Sequence, residues 1–432
     1  MARMLRSRKS SRAFTSVESA LVKLFSSFNI PKFNTRRVEK VSLLESNGRV
    51  LAKDLYSPLS VPPFDRADRD GFAVSSSETA NVTRQFPIYL KIMGKRLAGQ
   101  PTSSHRIGKG QALEIATGAK LPKGTDSVMM FEDTITEANR LIKISKPVNR
   151  GDHVSSKSSD VTKGQLVLRK GTWITPQDVA LFASMGLDRI PVVNKPCVGI
   201  LATGDELIEP GSRPQNDARI FESNRYMLSC LVREAGGDSV DLGLCKDDPD
   251  EIFEKLKSAL KLDMIVVSGG ASVGEKDYTP LLVDRLGKPG LIVHGIAMKP
   301  GSPTGLGIVR NTPIIICPGF PVSAYAAFST FGIPILSKLL GTQGPVKARL
   351  MAKITKDITI SRGFLTFVRV IVYRHNDGFL ARPVSASGPS LISTLTNSNG
   401  IVAVNSRITH GNVLRKGEVV EVTLFKNILE TT

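Results

Sequence analysis

The residues of this chain that could do chemistry sit in three short loops that mix glycine with hydroxyl and acidic side chains. They are Thr203, Gly204, Asp205 and Glu206; Ser268, Gly269, Gly270, Ala271 and Ser272 running on to Asp277; and Cys317, Pro318, Gly319, Phe320 and Pro321. Successive glycines let backbone N–H groups approach a phosphate, and Ser268 and Ser272 can donate further hydrogen bonds. Glu206 and Asp277 are carboxylates of the kind that hold a hard divalent cation beside that phosphate. Met298, Lys299, Pro300 and Gly301 add a cation. A single glycine-rich loop is as readily a tight turn. Three such loops with acids and a lysine point instead to metal-assisted chemistry on a phosphate or anhydride. Asp247, Asp248 and Asp250 flank Pro249, where acids also serve simply to cap a helix.

Each loop follows an apolar run that reads as a buried strand: 198–202, 264–267 and 314–317. Helical patterns at 223–235, at 249–260 and from about Val322, with a further strand at 239–244, alternate with them. Such alternation implies parallel pairing with right-handed crossovers, hence an α/β sheet covered on both faces. Ligands of open α/β sheets lie beyond the carboxyl ends of the strands, which brings the three loops to one crevice.

The flanks have a different texture. Thr15 to Glu18 has the form of a capping box, and Val17, Ala20, Leu21, Leu24, Phe25 and Phe28 recur on one helical face. A second helix is signalled by Thr175, Pro176 and Asp178, stops at Gly186, and is expected to pack with the first. Residues 41–148 read as short strands, including 86–93 and 111–116, and form a small β-rich domain. Beyond about Gly344 helices are expected to vanish. Strands at 348–354, 367–373 and 419–425, with a turn at Asn376, Asp377 and Gly378, suggest a small β-barrel.

Bulk properties narrow the classes. The chain has 432 residues, 41% hydrophobic and 22% charged, which suits two to four domains with real cores. No apolar run is long enough for a transmembrane helix. The basic start, with Arg3, Arg6, Arg8, Lys9 and Arg12, precedes an amphipathic segment and is not expected to be a signal peptide. A formal charge of +19 concentrates anions. The Lys and Arg residues are otherwise dispersed, with no aromatic RNA-binding signature, so nucleic acid is disfavoured. Cys197, Cys230, Cys245 and Cys317 form no CxxC pair, which argues for reduced thiols in a cytoplasmic protein. His105, His153, His294, His375 and His410 show no metal-ligand spacing, and neither a GxSxG element nor a Walker A sequence occurs.

Taken in order, these segments resemble the molybdopterin molybdenumtransferase family, to which the C-terminal domain of gephyrin belongs. The matching residues run from Pro62–Asp65 to Asp70, Gly71, Phe72 and Ala73; then Thr117 through Gly124 with Asp126; Thr203–Leu207; Ser223 and Asn224; Ser268–Gly270 through Asp277 and Tyr278; Met298–Gly301; and Pro318–Ala324. The resemblance implies a homodimer of four-domain subunits. Its parts are a helical domain at 12–52 and 149–188, an inserted β domain at 53–148, an α/β molybdopterin-binding domain at 189–343 and a C-terminal β-barrel at 344–432.

It also implies a reaction: molybdate or tungstate enters adenylylated molybdopterin and AMP is released, with Mg2+ assisting. A molybdopterin adenylyltransferase would act upstream. By position, Glu206, Asp277 and Asp247 or Asp248 would hold the metal, and Lys299 the anion. Thr203, Gly204, Asp205, Ser268, Gly269, Gly270, Ser272, Pro300, Gly301, Pro318, Gly319 and Pro321 would bind the pterin nucleotide. Asp70 and Thr117 would complete the cleft from the partner subunit. The chain departs from the family pattern at Arg69, Ser302 and Phe320, and lacks a lysine at Gly295. Two alternatives follow from the same resemblance: a non-catalytic molybdopterin-binding scaffold, and an adenylyltransferase. The flanking segments argue against the latter.

Overall fold

A computed structural model describes residues 14–28, 38–101, 106–271, 278–344, 347–376, 378–384, 388–405 and 412–428. The chain divides into two compact units: one of Lys40–Asn47 and Leu51–Pro191, the other of Met1–Glu39, Gly48–Val50 and Val192–Thr432.

The larger unit opens with helix α1 (Val17–Ser26). Its N-cap is Ser16, whose hydroxyl accepts from the Ser19 amide at 3.2 Å, so a simple N-cap one residue later takes the place of the expected capping box at Thr15. The apolar residues of α1, Val17, Ala20 and Leu24, with Phe28, join the core that covers the α/β sheet of its own unit. Periodicity reveals that a helix has an apolar face but not what that face meets.

In the smaller unit six strands form one sheet: β1 (Gly71–Val74), β2 (Ile88–Arg96), β3 (Gln111–Ile115), β4 (Ser127–Met130), β5 (Thr134–Glu137) and β6 (Leu141–Ile144), in the order β4-β1-β3-β2-β6-β5. Phe72, Leu90, Met129 and Ile142 pack on one face, and Ala73, Leu113, Ile115 and Val128 on the other. Gly71 is obligatory because a Cβ there would stand 2.1 Å from the Met129 carbonyl oxygen of the paired strand. Helix α2 (Pro176–Ser184) begins with the expected cap, the Thr175 amide and hydroxyl both donating to Asp178, at 2.8 and 2.7 Å.

The larger unit's first sheet contains β7 (Cys197–Thr203), β8 (Asp238–Cys245), β9 (Met264–Ser268), β10 (Pro289–His294), β11 (Gly305–Val309) and β12 (Thr312–Cys317), ordered β8-β7-β9-β12-β11-β10. The first four in that order pair in parallel, as the alternation predicts. Strands β10 and β11, antiparallel and unforeseen, complete the edge; their runs are broken by Gly290, Gly305 and Gly307, which hide the strand pattern. Helices α3 (Asn224–Glu234), α4 (Pro249–Ala259), α5 (Thr279–Leu286), α6 (Pro321–Ala327) and α7 (Ile333–Leu340) flank the sheet. Its residues alternate between two cores: Val198, Ile200, Val266 and Ile315 face one, Leu201, Ile265, Val267 and Ile316 the other. That is why these strands read as continuous apolar runs.

The last segment is a closed five-stranded barrel of β13 (Arg349–Ile354), β14 (Leu365–His375), β15 (Gly378–Pro383), β16 (Gly400–Asn405) and β17 (Val419–Leu424); β16 pairs back onto β14. One helical turn, Ser393–Thr396, interrupts it, against the expectation that helices end near Gly344. Asp377, of the expected turn, lies outside the described residues. No helix among the described residues is long and apolar enough to cross a membrane.

Candidate functional site

The carboxyl ends of β7, β9 and β12 open onto one cavity of about 540 Å³. Its walls include Thr203, Gly204, Glu206, Asp247, Ser268, Gly269, Gly270, Pro318, Gly319 and Pro321, so all three glycine-bearing loops meet as the topology requires. Phe320, 56% exposed, stands at its mouth.

Gly269 and Gly270 are held in positive-φ conformations, at +105° and +58°. A Cβ on Gly269 would fall 2.2 Å from the Thr203 carbonyl oxygen, and one on Gly270 2.5 Å from Thr279 Oγ1. No side chain fits at either position without moving its neighbours. The Gly269 amide already donates to the Cys317 carbonyl at 3.1 Å, so amides offered to a phosphate must come from Gly270 onward.

Asn224, at the start of α3, ties the loops together. Its Nδ2 donates to Ser268 Oγ at 2.8 Å and to the Gly319 carbonyl at 2.7 Å, joining the loops after β9 and β12. The residue is buried, and among the described residues its Oδ1 has no partner, as is also true of Thr203 Oγ1 and Thr279 Oγ1. Buried polar atoms are normally paired, and three orphans around one glycine loop mark a place built for something else to bind.

Next to Asn224 in the chain, the buried Arg225 anchors an ion network whose partners Glu209 and Asp241 are exposed. Arg225 reaches Asp241 at 2.8 Å and Glu209 at 2.5 Å, and these carboxylates keep its guanidinium charge secure although burial opposes it. Glu222, which also walls the cavity, is 2% exposed; burial raises its carboxyl above the usual range, although the Arg225 amide donates to its Oε1 at 2.8 Å and the Arg225 Nε lies 3.6 Å away.

The acids around Pro249 separate by role. Asp248 is the N-cap of α4, accepting from the Asp250 and Glu251 amides at 2.9 Å each, while Asp247 faces the cavity. Asp205 is not among the cavity walls; its Oδ1 accepts from the Asp247 amide at 3.2 Å and so supports Asp247. Two expected residues, Ser272 and Asp277, lie outside the described residues, as do His105 and His410. Among the described residues no group of three His, Cys, Asp or Glu side chains could hold a metal. Glu206 and Asp247 on one cavity, with the orphan hydroxyl of Thr203, nevertheless give an all-oxygen donor set that suits a hard cation such as Mg2+.

Lys299, Pro300 and Gly301 line an adjoining cavity of about 640 Å³ that shares Pro303, Pro318 and Phe320 with the first. The Lys299 ammonium sits 5.0 Å from the centre of the Phe364 ring. Ser302 spends its hydroxyl on the Met298 carbonyl at 2.7 Å and thus acts on its own turn.

Sequence reasoning missed a second cation here. Arg369, on β14, borders the same cavity, is 9% exposed, and its Nε has no partner among the described residues. Burial lowers its pKa, and no carboxylate among the described residues opposes the effect. The only signal in the sequence was an arginine inside the apolar strand Leu365–His375.

Asp70 and Thr117 meet in the smaller unit. The Thr117 amide and hydroxyl donate to Asp70 Oδ1 at 2.7 and 3.0 Å, and these bonds hold the Asp70 carboxyl below its ordinary range. Arg69 is exposed.

Comparison with known proteins agrees with this geometry along the chain. The family model described as MoeA N-terminal region (domain I and II) matches residues 15–186, the probable molybdopterin binding domain 199–338, and the MoeA C-terminal region (domain IV) 351–425. A relative from Bacillus subtilis (strain 168), molybdopterin molybdenumtransferase, is 34% identical over 394 residues, covering 90% of each chain. One of the same name from Haemophilus influenzae is 32% identical over 397 residues, covering 91% of this chain and 95% of that one. The solved structure of the molybdopterin biosynthesis moeA protein from Pyrococcus horikoshii OT3 superposes with a TM-score of 0.80 at 31% identity, over 96% of this chain and 100% of that one. The chain belongs to the molybdopterin molybdenumtransferase (MoeA) family.

Proposed function

We propose that this protein acts in molybdenum cofactor biosynthesis as a transferase that inserts molybdate, or tungstate, into adenylylated molybdopterin and releases AMP. The observation that carries the reading is the pairing of two adjoining cavities with opposite chemistry. One offers carboxylates, hydroxyls and backbone donors at the ends of parallel strands; the other offers Lys299 and the buried Arg369, whose Nε has no partner among the described residues.

A tetrahedral oxoanion carries two negative charges, and Lys299 and Arg369, which line the same cavity, supply two positive ones. An unpaired buried guanidinium is costly unless an anion satisfies it. The pterin nucleotide then lies in the strand-end cavity, its phosphates over the glycine loop. There Asn224 keeps the loops after β9 and β12 at a fixed separation, so orientation is set before the substrate arrives. Glu206 and Asp247, with Asp277, are the proposed holders of Mg2+. When bound, that ion neutralises charge developing on the leaving phosphate.

We keep as part of the proposal the four-domain partition at 12–52 with 149–188, 53–148, 189–343 and 344–432, a cytoplasmic homodimer, and supply of substrate by an adenylyltransferase. Asp70, fixed and ionised by Thr117, is assigned to the cleft of the partner subunit. Calorimetric titration of molybdate into the protein tests the oxoanion site. Arg369→Met and Lys299→Met are each expected to weaken binding at least about tenfold, the equivalent of about 1.4 kcal/mol. Unchanged affinity in both variants would remove the oxoanion from this cavity.

A further inference from the structure

A third cavity lies between helix α6 with its continuation and the barrel; it shares Arg369 and Phe367 with the cavity proposed for the oxoanion, and the proposed reaction uses none of its other walls. It holds about 300 Å³ and is walled mainly by hydrocarbon, including Val322, Ala326, Phe367, Ile401, Leu424 and Phe425. A dry cavity half that size is enough to bind benzene, so this one has room for a bicyclic or branched body. Its size is at the lower end of ligand sites.

The charge distribution around it is one-sided. Lys347, Arg349 and Arg369 all contribute to the wall. Arg349 pairs with Glu421 at 3.2 Å, but Lys347 and Arg369 have no acidic partner among the described residues. Arg369 is more than nine-tenths buried, and its Nε is unpartnered. Aromatic walls with a buried planar guanidinium match a flat apolar body bearing one carboxylate, which a guanidinium grips through two parallel hydrogen bonds. A bare inorganic anion would leave the hydrocarbon walls unused, and a neutral hydrocarbon would leave the cations unpaired.

We propose that this cavity is a second ligand site, which takes a small amphipathic monoanion of the aryl or branched-alkyl carboxylate class. The site shares Arg369 and Phe367 with the cavity proposed for the oxoanion, so the two ligands would compete for one guanidinium, whereas Lys347, Ala403 and the remaining hydrocarbon walls belong to this site and not to that one.

Fluorescence titration of the full chain with 2-naphthoate tests it, with the neutral 2-naphthamide as the charge control. The expected result is saturable binding of one naphthoate per chain, with the amide at least about tenfold weaker. Ala403→Trp fills the cavity from an exposed strand position and is expected to weaken naphthoate at least about tenfold. Arg369→Met is expected to do the same; its circular dichroism spectrum checks that the barrel is intact, and Ala403→Trp decides the matter if it is not. Phe320→Ala, whose side chain walls only the other two cavities, is expected to leave naphthoate affinity within about twofold. The proposal is overturned if binding does not saturate, if Ala403→Trp has no effect, if amide and carboxylate bind equally, or if Phe320→Ala is the variant that abolishes binding.

Discussion

Replacing Asn224 by alanine removes both hydrogen bonds that join the loops after β9 and β12, at 2.8 Å to Ser268 Oγ and 2.7 Å to the Gly319 carbonyl. A typical intramolecular hydrogen bond contributes about 1 kcal/mol net, so the two together stabilise the loops by about 2 kcal/mol. Against this, the substitution also removes the unpartnered Oδ1, whose burial already costs on the order of 1 kcal/mol. The expected net loss is therefore about 1 kcal/mol, small enough that a single variant is a weak test.

A double-mutant cycle with Ser268→Ala isolates one bond. Coupling between the two sites is expected at about 1 kcal/mol, because Ser268→Ala in the Asn224→Ala background has no bond left to lose. The sole tryptophan, Trp173, lies in the smaller unit, so the larger unit is best followed by hydrogen exchange of the β9 and β12 amides. Additivity of the two substitutions within about 0.3 kcal/mol would show that the Asn224–Ser268 bond does not hold the crevice, and the orientation argument built on it would fall.

Further outcomes follow from the same structure. Gly269→Ala must push the Thr203 carbonyl away from a 2.2 Å contact, and it is expected to weaken binding of the pterin nucleotide at least about tenfold; retention of full affinity would refute the close-approach argument. Burial first, and then the neighbouring Glu251, push the Cys245 thiol up to about 12, and burial pushes Cys317 up as well. At pH 8 only about one Cys245 in ten thousand would be thiolate. Iodoacetamide is therefore expected to modify the exposed Cys230 first, as peptide mass mapping can check.

Asp126 is partly buried, which raises its pKa, but the Ser76 amide and hydroxyl and the Ser127 hydroxyl outweigh that and hold it below the ordinary range. A depressed folded value means that the stabilisation is complete above the unfolded pKa of about 3.9 and is lost as pH falls through the folded value. The urea midpoint of Asp126→Asn, followed by Trp173 fluorescence, should thus fall furthest below wild type at neutral pH and converge with it in acid. A difference that does not change with pH would contradict the assignment.

The sequence was most legible where one physical rule dominates. The parallel strands are buried on both faces, so their apolar runs and the glycine loops after them announce both the sheet and its crevice. Asp248 could be separated from Asp247 only by geometry, since either acid before Pro249 can cap the helix. The destination of α1 was illegible because an apolar stripe does not name its partner, and β10 and β11 were hidden by their glycines. Arg369 was missed for a related reason: one charge in a strand reads as an exposed position, and its burial against a cavity emerges only when β14 closes the barrel with β16.

The most direct test of the central claim is AMP release from adenylylated molybdopterin with Mg2+, with and without molybdate, in wild type, Glu206→Ala and Asp277→Ala. The account predicts molybdate-dependent release in wild type and its loss in both variants, with nucleotide binding retained. Binding without release in the wild type would instead identify a non-catalytic molybdopterin-binding protein and contradict the transferase reading.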